Sequence, residues 1–185
     1  LPLLRDKSST RAGWWQGCFL LVGLWSVTSV LLLAQLTLKI RRLARVIRIA
    51  EPARERIQGI AAKAALRMKV PKVVVRQVSN RAPPLVWGGL REPTIIFPLE
   101  LTQKMNDEQL THIACHELAH YVRRDHWSNT FAAVVSALFW WHPAVWFAQR
   151  EMRRAQDLCA DESAIVACRV ARRSYLETLL QALDL

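Results

Sequence analysis

Between Cys115 and Arg124 the chain reads CHELAHYVRR, which places His116, Glu117 and His120 in H-E-x-x-H spacing. Residues four apart share one face of a helix. Two imidazoles on that face can bind one Zn2+, and a glutamate next to the first can reach a water held by the metal. Zinc brings such a water's pKa down to about 7, and a carboxylate takes its proton as it attacks a carbonyl. The pattern implies hydrolytic chemistry of the metallopeptidase type. His116 and His120 are the candidate metal ligands and Glu117 the candidate general base.

The flanks place this motif inside a helix. Asn106 is a suitable N-cap, Asp107 and Glu108 fill the first turn, and Gln109 stands at the capping-box position. Leu110, Ile113, Ala114 and Leu118 supply an apolar stripe. The histidines then lie about two to three turns in, where their geometry is fixed. A chance match on a surface or core helix is the bland alternative. Two histidines bracketing a glutamate on an apolar helix face are harder to explain that way.

Catalytic zinc usually has three protein ligands and an open fourth position. Two residues compete for the third place. His126 follows His120 at the interval of H-E-x-x-H-x-x-G-x-x-H. Arg123, however, stands where the glycine would be, and a left-handed turn without glycine costs about 1–2 kcal/mol. The other candidate is Asp157. Residues 127–147 (WSNTFAAVVSALFWWHPAVWF) are apolar enough to read as a membrane span. A straight span would part its ends by about 30 Å. Pro143 interrupts the run, and proline disfavours helix in the residue before it. If the chain reverses at Trp141–Pro143, the outward and returning arms match in length, and Asp157 comes back to the level of the histidine pair. Asp161, four residues on, shares its face. This D-x-x-x-D pair could give one ligand and one carboxylate that orients a histidine. The bland alternative is two solvated charges beside Arg150, Arg153 and Arg154.

At these residues the chain resembles the BlaR/MecR-type membrane zinc metallopeptidases, the antirepressor proteases of β-lactam sensing. The resemblance runs from about Arg67 to Val170. It rests on PPLVWGGLREPTIIFP (83–98), HELAHYVRRDHW (116–127) and FWWHPAVWFAQREMRRAQDLCADESAI (139–165), in that order. It implies a gluzincin-like zinc peptidase with its active site on the cytoplasmic side. In that family the third block usually carries a glutamate ligand followed four residues later by aspartate. The matching positions here are Asp157 and Asp161, and Asp157 is one methylene shorter than the family's ligand. The same alignment makes His126 an ordinary flanking residue. The implied target is a repressor or the chain itself.

Composition bounds the rest. The 185 residues are 52% hydrophobic with net charge +11, too apolar for a disordered basic tail and of a size for one domain plus a membrane segment. The basic excess also invites a nucleic-acid reading, but its placement is that of a membrane protein, so no direct nucleic-acid partner is expected. Ala12 to Leu38 carries no charge and is bounded by Arg11 and Lys39. It is long enough to cross a bilayer with some tilt, with Trp14 and Trp15 as interfacial anchors. It is too long for a signal-peptide core. Basic residues crowd the segment after it, which by the positive-inside rule faces the cytoplasm. Cys18, Cys115, Cys159 and Cys168 form no C-x-x-C pair; Cys115 and Cys159 read as small buried residues.

The expected fold is α+β and mostly helical: a transmembrane helix followed by a zincin-like peptidase domain with a small β-sheet and an apolar helical hairpin. The expected division is an N-terminal flank and span (1–38), basic juxtamembrane helices (39–68) and the peptidase domain (69–185). Pro52 is expected to open a helix reaching about Met68. Strands are expected at 72–78, 85–87 and 94–97, with Gly88-Gly89 turning between the last two. Either of these last two could be an edge that pairs with an extended substrate. The partners expected are a lipid bilayer and a protein or peptide substrate, with Zn2+ as cofactor, at the inner membrane. The alternative is a catalytically weak or inactive membrane signalling module that retains the fold.

Overall fold

The computed structural model describes residues 7–79, 83–88 and 92–183. A single helix, α1 (Lys7–Ile49), opens the chain. It runs unbroken from the uncharged stretch into the basic one. Over Trp14–Ile49 it is long and apolar enough to cross a membrane. Trp14, Phe19, Leu20 and Leu31 are largely exposed on it, as a lipid-facing helix requires.

The sheet follows. It is four-stranded, in the order β1 (Glu51–Pro52), β2 (Val74–Val78), β4 (Thr94–Pro98), β3 (Leu85–Trp87). The β2–β4 pair is parallel, with Val75 opposite Ile95; β1–β2 and β3–β4 are antiparallel, with Val86 opposite Ile95. Two expectations change here. Pro52 does not start a helix: it lies in the edge strand β1, where a residue without an N–H is tolerated, and α2 spans Glu55–Arg67. Thr94–Phe97 is no edge, because β4 is flanked on both sides. Of the two candidates, Leu85–Trp87 is the one at an edge of the sheet among the described residues. Gly89 lies outside the described residues.

After β4 come α3 (Leu99–Lys104), α4 (Asp107–Val122), α5 (Asp125–Leu138), α6 (Pro143–Cys168) and α7 (Arg172–Leu183). The capping box at α4 forms as the sequence indicates: Gln109 N–H donates to Asn106 Oδ1 at 2.9 Å, and Asn106 N–H to Gln109 Oε1 at 3.0 Å. α4 is the centre of the domain. It packs on α2 on one side and α6 on another, with α7 and the sheet closing the rest. Ala61, Ala64, Ala114, Cys115 and Ala164 are fully buried. Such small side chains let helix backbones approach closely. Leu110, Ile113, Leu118, Ile95 and Phe97 fill the core around them.

Two turns aim the site. Arg124 takes the left-handed conformation (φ 60°, ψ 31°) and starts α5 directly after α4. The reversal expected of a glycine is thus made one residue later than Arg123, which stays right-handed. Pro143 occupies the first turn of α6, where its fixed φ and missing N–H fit. The apolar run therefore forms a hairpin, α5 out and α6 back, as its proline implies. Trp25 Nε1–H of α1 donates to the Leu138 carbonyl at 2.7 Å, tying the hairpin's tip to the long helix.

Candidate active site

His116 and His120 lie one turn apart in α4, and their Nε2 atoms approach to 3.2 Å. The rings are edge-on, with centroids 4.9 Å apart and planes at 82°. What the other ring nitrogens do fixes the meaning of this approach. His116 Nδ1 lies 2.9 Å from both the Tyr175 hydroxyl and Asp161 Oδ1. The Tyr175 hydroxyl donates its own proton to Asp161 Oδ1 at 2.9 Å, so both neighbours of His116 Nδ1 act as acceptors. That nitrogen must carry the hydrogen. His120 Nδ1 lies 2.8 Å from Asp125 Oδ2 and donates to it likewise. In the neutral form each imidazole then presents a bare lone pair at Nε2. Two lone pairs facing at this distance repel unless a cation lies between them. For tetrahedral zinc with Zn–N of about 2.0–2.1 Å, two nitrogen ligands sit about 3.3 Å apart. The pair fits that bite. Burial, helped by the neighbouring His120, lowers the His116 pKa, against the pull of Asp161 and Asp157. Burial thus favours neutral imidazole, the form that ligates metal.

The hairpin brings Asp157 to the pair, as the arm-length argument requires. Its Oδ1 stands 3.8 Å from His120 Nε2, and the side chain is 67% exposed. That is about 0.4 Å longer than a tetrahedral oxygen–nitrogen separation built from ordinary zinc bonds. Among the described residues no three His, Cys, Asp or Glu side chains cluster tightly enough to hold a metal ion. The two histidines meet, and Asp157 stands close to them without joining a tight cluster. Asp161 contacts His116 and Tyr175. His126 is on α5, where its ring stacks on Tyr121 (centroids 6.3 Å, planes at 14°). Its Nε2 has no hydrogen-bond partner among the described residues.

Glu117 faces a cleft of about 290 Å³ whose lining includes Val86, Gly88, His120, Tyr121, Arg153 and Asp157. Burial pushes its pKa up to about 8; a hydrogen bond from the Val86 backbone opposes this, and the charge of Asp157 adds to it. Val86 belongs to β3, so the sheet's free edge forms one wall of the cleft. Gly88 lets that strand come close: a Cβ there would stand 3.1 Å from Pro93 Cα and 3.2 Å from Tyr121 Cε2.

Two residues in this network were not singled out from the sequence. Asp125 follows the left-handed Arg124, and its side chain is only 7% exposed. Its place next to His126 and five residues after His120 was a signal that it could serve one of them. Tyr175, fully buried on α7, lies 59 positions from His116, and nothing local marks it. Cys115 is buried as expected, whereas Cys159 is half-buried.

The site thus sets a histidine pair beside a covered glutamate and the outer strand β3. Residues 5–184 match the family described as BlaR1 peptidase M56, and the chain belongs to that family. It is similar to the regulatory protein BlaR1 of Bacillus licheniformis (28% identity over 90 residues, 49% of this chain and 15% of the relative). It is also similar to the methicillin resistance protein MecR1 of Staphylococcus aureus (27% over 93 residues, 50% of this chain and 16% of the relative) and to that of Staphylococcus epidermidis, at the same identity. The matched part of the chain thus spans only about 15% of the length of these relatives.

Proposed function

We propose that this chain is the zinc-dependent endopeptidase unit of a membrane signalling protein, cutting a protein substrate at the cytoplasmic face. The observation that carries the reading is the 3.2 Å approach of two Nε2 atoms whose Nδ1 partners are all acceptors. His116 and His120 would hold the ion, and Asp157 would complete the set after a small swing of its exposed carboxylate. Bound zinc supplies a Lewis acid for the scissile carbonyl and acidifies the attacking water.

The other steps belong to the protein. Glu117, in the same cleft, accepts the water's proton and returns it to the leaving amine. Its raised pKa suits the second half of that cycle, and a cation next to it would bring the carboxylate back into use as a base. Asp161 and Tyr175 fix His116, while Asp125 fixes His120. Beyond the Val86 N–H that serves Glu117, the outer side of β3 could pair through its remaining main-chain groups with an extended peptide laid along the cleft. The basic face of α1 after Leu38, and the basic segment beyond it, support a cytoplasmic position for the domain. A repressor protein, or another copy of the chain, is the class of substrate that the named relatives suggest.

Glu117→Ala tests this directly. The variant should keep zinc and lose proteolysis; cleavage at the wild-type rate would end the mechanism. A second reading, a signalling module without catalysis, is favoured by the open 3.8 Å position of Asp157. Zinc per chain separates the two. One zinc in wild type, lost in Asp157→Ala and kept in His126→Ala, supports the enzyme. A wild type that takes up no zinc supports the module.

A further inference from the structure

The α5–α6 hairpin carries an exposed apolar surface that the peptidase reading does not use. No charged residue occurs between His126 and Gln149. Phe131 (72%), Trp146 (55%) and Phe147 (67%) are large apolar side chains left exposed. Between the two helices runs a groove of about 520 Å³, walled by Phe131, Val135, Phe139, Val145, Ala148 and Met152. Contiguous apolar surface of this kind marks contact with a protein or a membrane.

Its position decides between these. Leu138, at the end of α5, accepts the hydrogen bond of Trp25. Trp25 is the central residue of the uncharged stretch Ala12–Leu38, so when α1 spans the bilayer, Trp25 lies near the midplane and the hairpin's tip lies there too. The surface is also continuous with that of α1: Leu21, Val22, Leu24 and Trp25 wall a second groove together with Phe139, Trp140 and Trp141. At its other end α5 begins at Asp125, 13 residues before Leu138, or about 20 Å along the helix. Half the hydrocarbon thickness is about 15 Å. With α5 running along the bilayer normal, Asp125, and with it His120, sits roughly 5 Å outside the hydrocarbon, in the headgroup layer; tilt would bring it closer to the boundary.

We infer that the α5–α6 hairpin is buried in the bilayer beside α1, turning back at its middle rather than crossing it, with acyl chains covering the groove between its helices. The hairpin can do this without breaking backbone pairing, because both arms are helical. The turn at Phe139–His142 is the one irregular piece at that depth. There Phe139 N–H donates to Val135 O at 2.8 Å and His142 N–H to Phe139 O at 2.9 Å. The consequence is a cleft held at the membrane surface, open to chain segments that run along the headgroups. The inference needs α1 as a span but neither zinc nor catalysis.

Depth-dependent quenching tests it. Acridonylalanine replaces Phe147 in the full-length protein, in phosphatidylcholine–phosphatidylglycerol vesicles carrying a nitroxide either at acyl carbon 12 or on the headgroup. The deep nitroxide should quench at least about twice as strongly as the headgroup nitroxide. A second probe at Phe131, lower on the other arm, should see the two more equally. A probe at Leu158, exposed on α6 beside Asp157, should see the headgroup nitroxide more. Stronger headgroup quenching at Phe147 would lay the hairpin on the surface and overturn the inference. So would the absence of quenching by either lipid at both hairpin positions, which would mean that protein, not lipid, covers them.

Discussion

Asp125→Asn probes the reasoning at its narrowest point. The carboxylate does one thing that matters for the site: it accepts from His120 Nδ1 at 2.8 Å and so aims a bare Nε2 at its neighbour. Asparagine keeps the shape and can still accept through its amide oxygen, but it loses the charge. A hydrogen bond to a buried charged group contributes about 1.5–3 kcal/mol, against about 1 for a neutral one. The difference, about 0.5–2 kcal/mol, corresponds to roughly two- to thirtyfold in zinc dissociation constant. Asp125→Ala should cost more, up to the hundredfold seen when outer partners of metal-bound histidines are removed. Competition with a chromogenic chelator, in detergent at pH 7.5, measures both. The order wild type, then Asn, then Ala in weakening affinity is expected. Zinc affinity within twofold of wild type in Asp125→Ala would refute the tautomer argument, because Asp125 is the hydrogen-bond partner of His120 Nδ1 among the described residues.

Other consequences can be measured separately. Asp157→Glu adds the methylene that the glutamate implied by the family resemblance would supply, and should tighten zinc by about tenfold; unchanged or weaker binding would place the third ligand elsewhere. Glu117 titrates near 8 in the metal-free fold and near 4.5 when unfolded. The folded state therefore binds the extra proton between those values, and its stability falls as pH rises through that window. Glu117→Gln removes the dependence, so its melting temperature without zinc should exceed that of wild type by more at pH 8.5 than at pH 5; equal offsets at the two pH values would count against a covered Glu117. Cys168 is held down to about 7, first by its hydrogen bond with Cys115 and further by Arg67 against the cost of burial. Its alkylation by iodoacetamide should have a midpoint near pH 7 and move upward in Arg67→Ala, with mass spectrometry locating the label. A midpoint in Arg67→Ala unchanged from wild type would remove the arginine from the account.

What the sequence determined is whatever depends on near neighbours along the chain. The capping box at Asn106 and Gln109, the helix carrying His116, Glu117 and His120, and the reversal at Pro143 each follow from a few adjacent residues, and each appears where the residues place it. The uncharged stretch after Arg11 is helical by the same kind of local rule. Pro52 misled because proline suits both a helix start and an edge strand, and only pairing with β2 selects between them. Which short strand lies at the free edge was likewise undecidable until the order of the sheet was known. The tertiary structure alone decided the partners of the histidines. Tyr175 reaches His116 because α7 packs on α4, and Asp125 reaches His120 because a left-handed Arg124 swings α5 back toward it. It also decided the distance of Asp157, since equal arm lengths bring a residue to the right level while lateral separation depends on how α6 packs on α4. Local sequence fixes backbone conformation through sterics and nearby hydrogen bonds, but the last few tenths of an ångström at a site are set by the packing of side chains far apart in the chain.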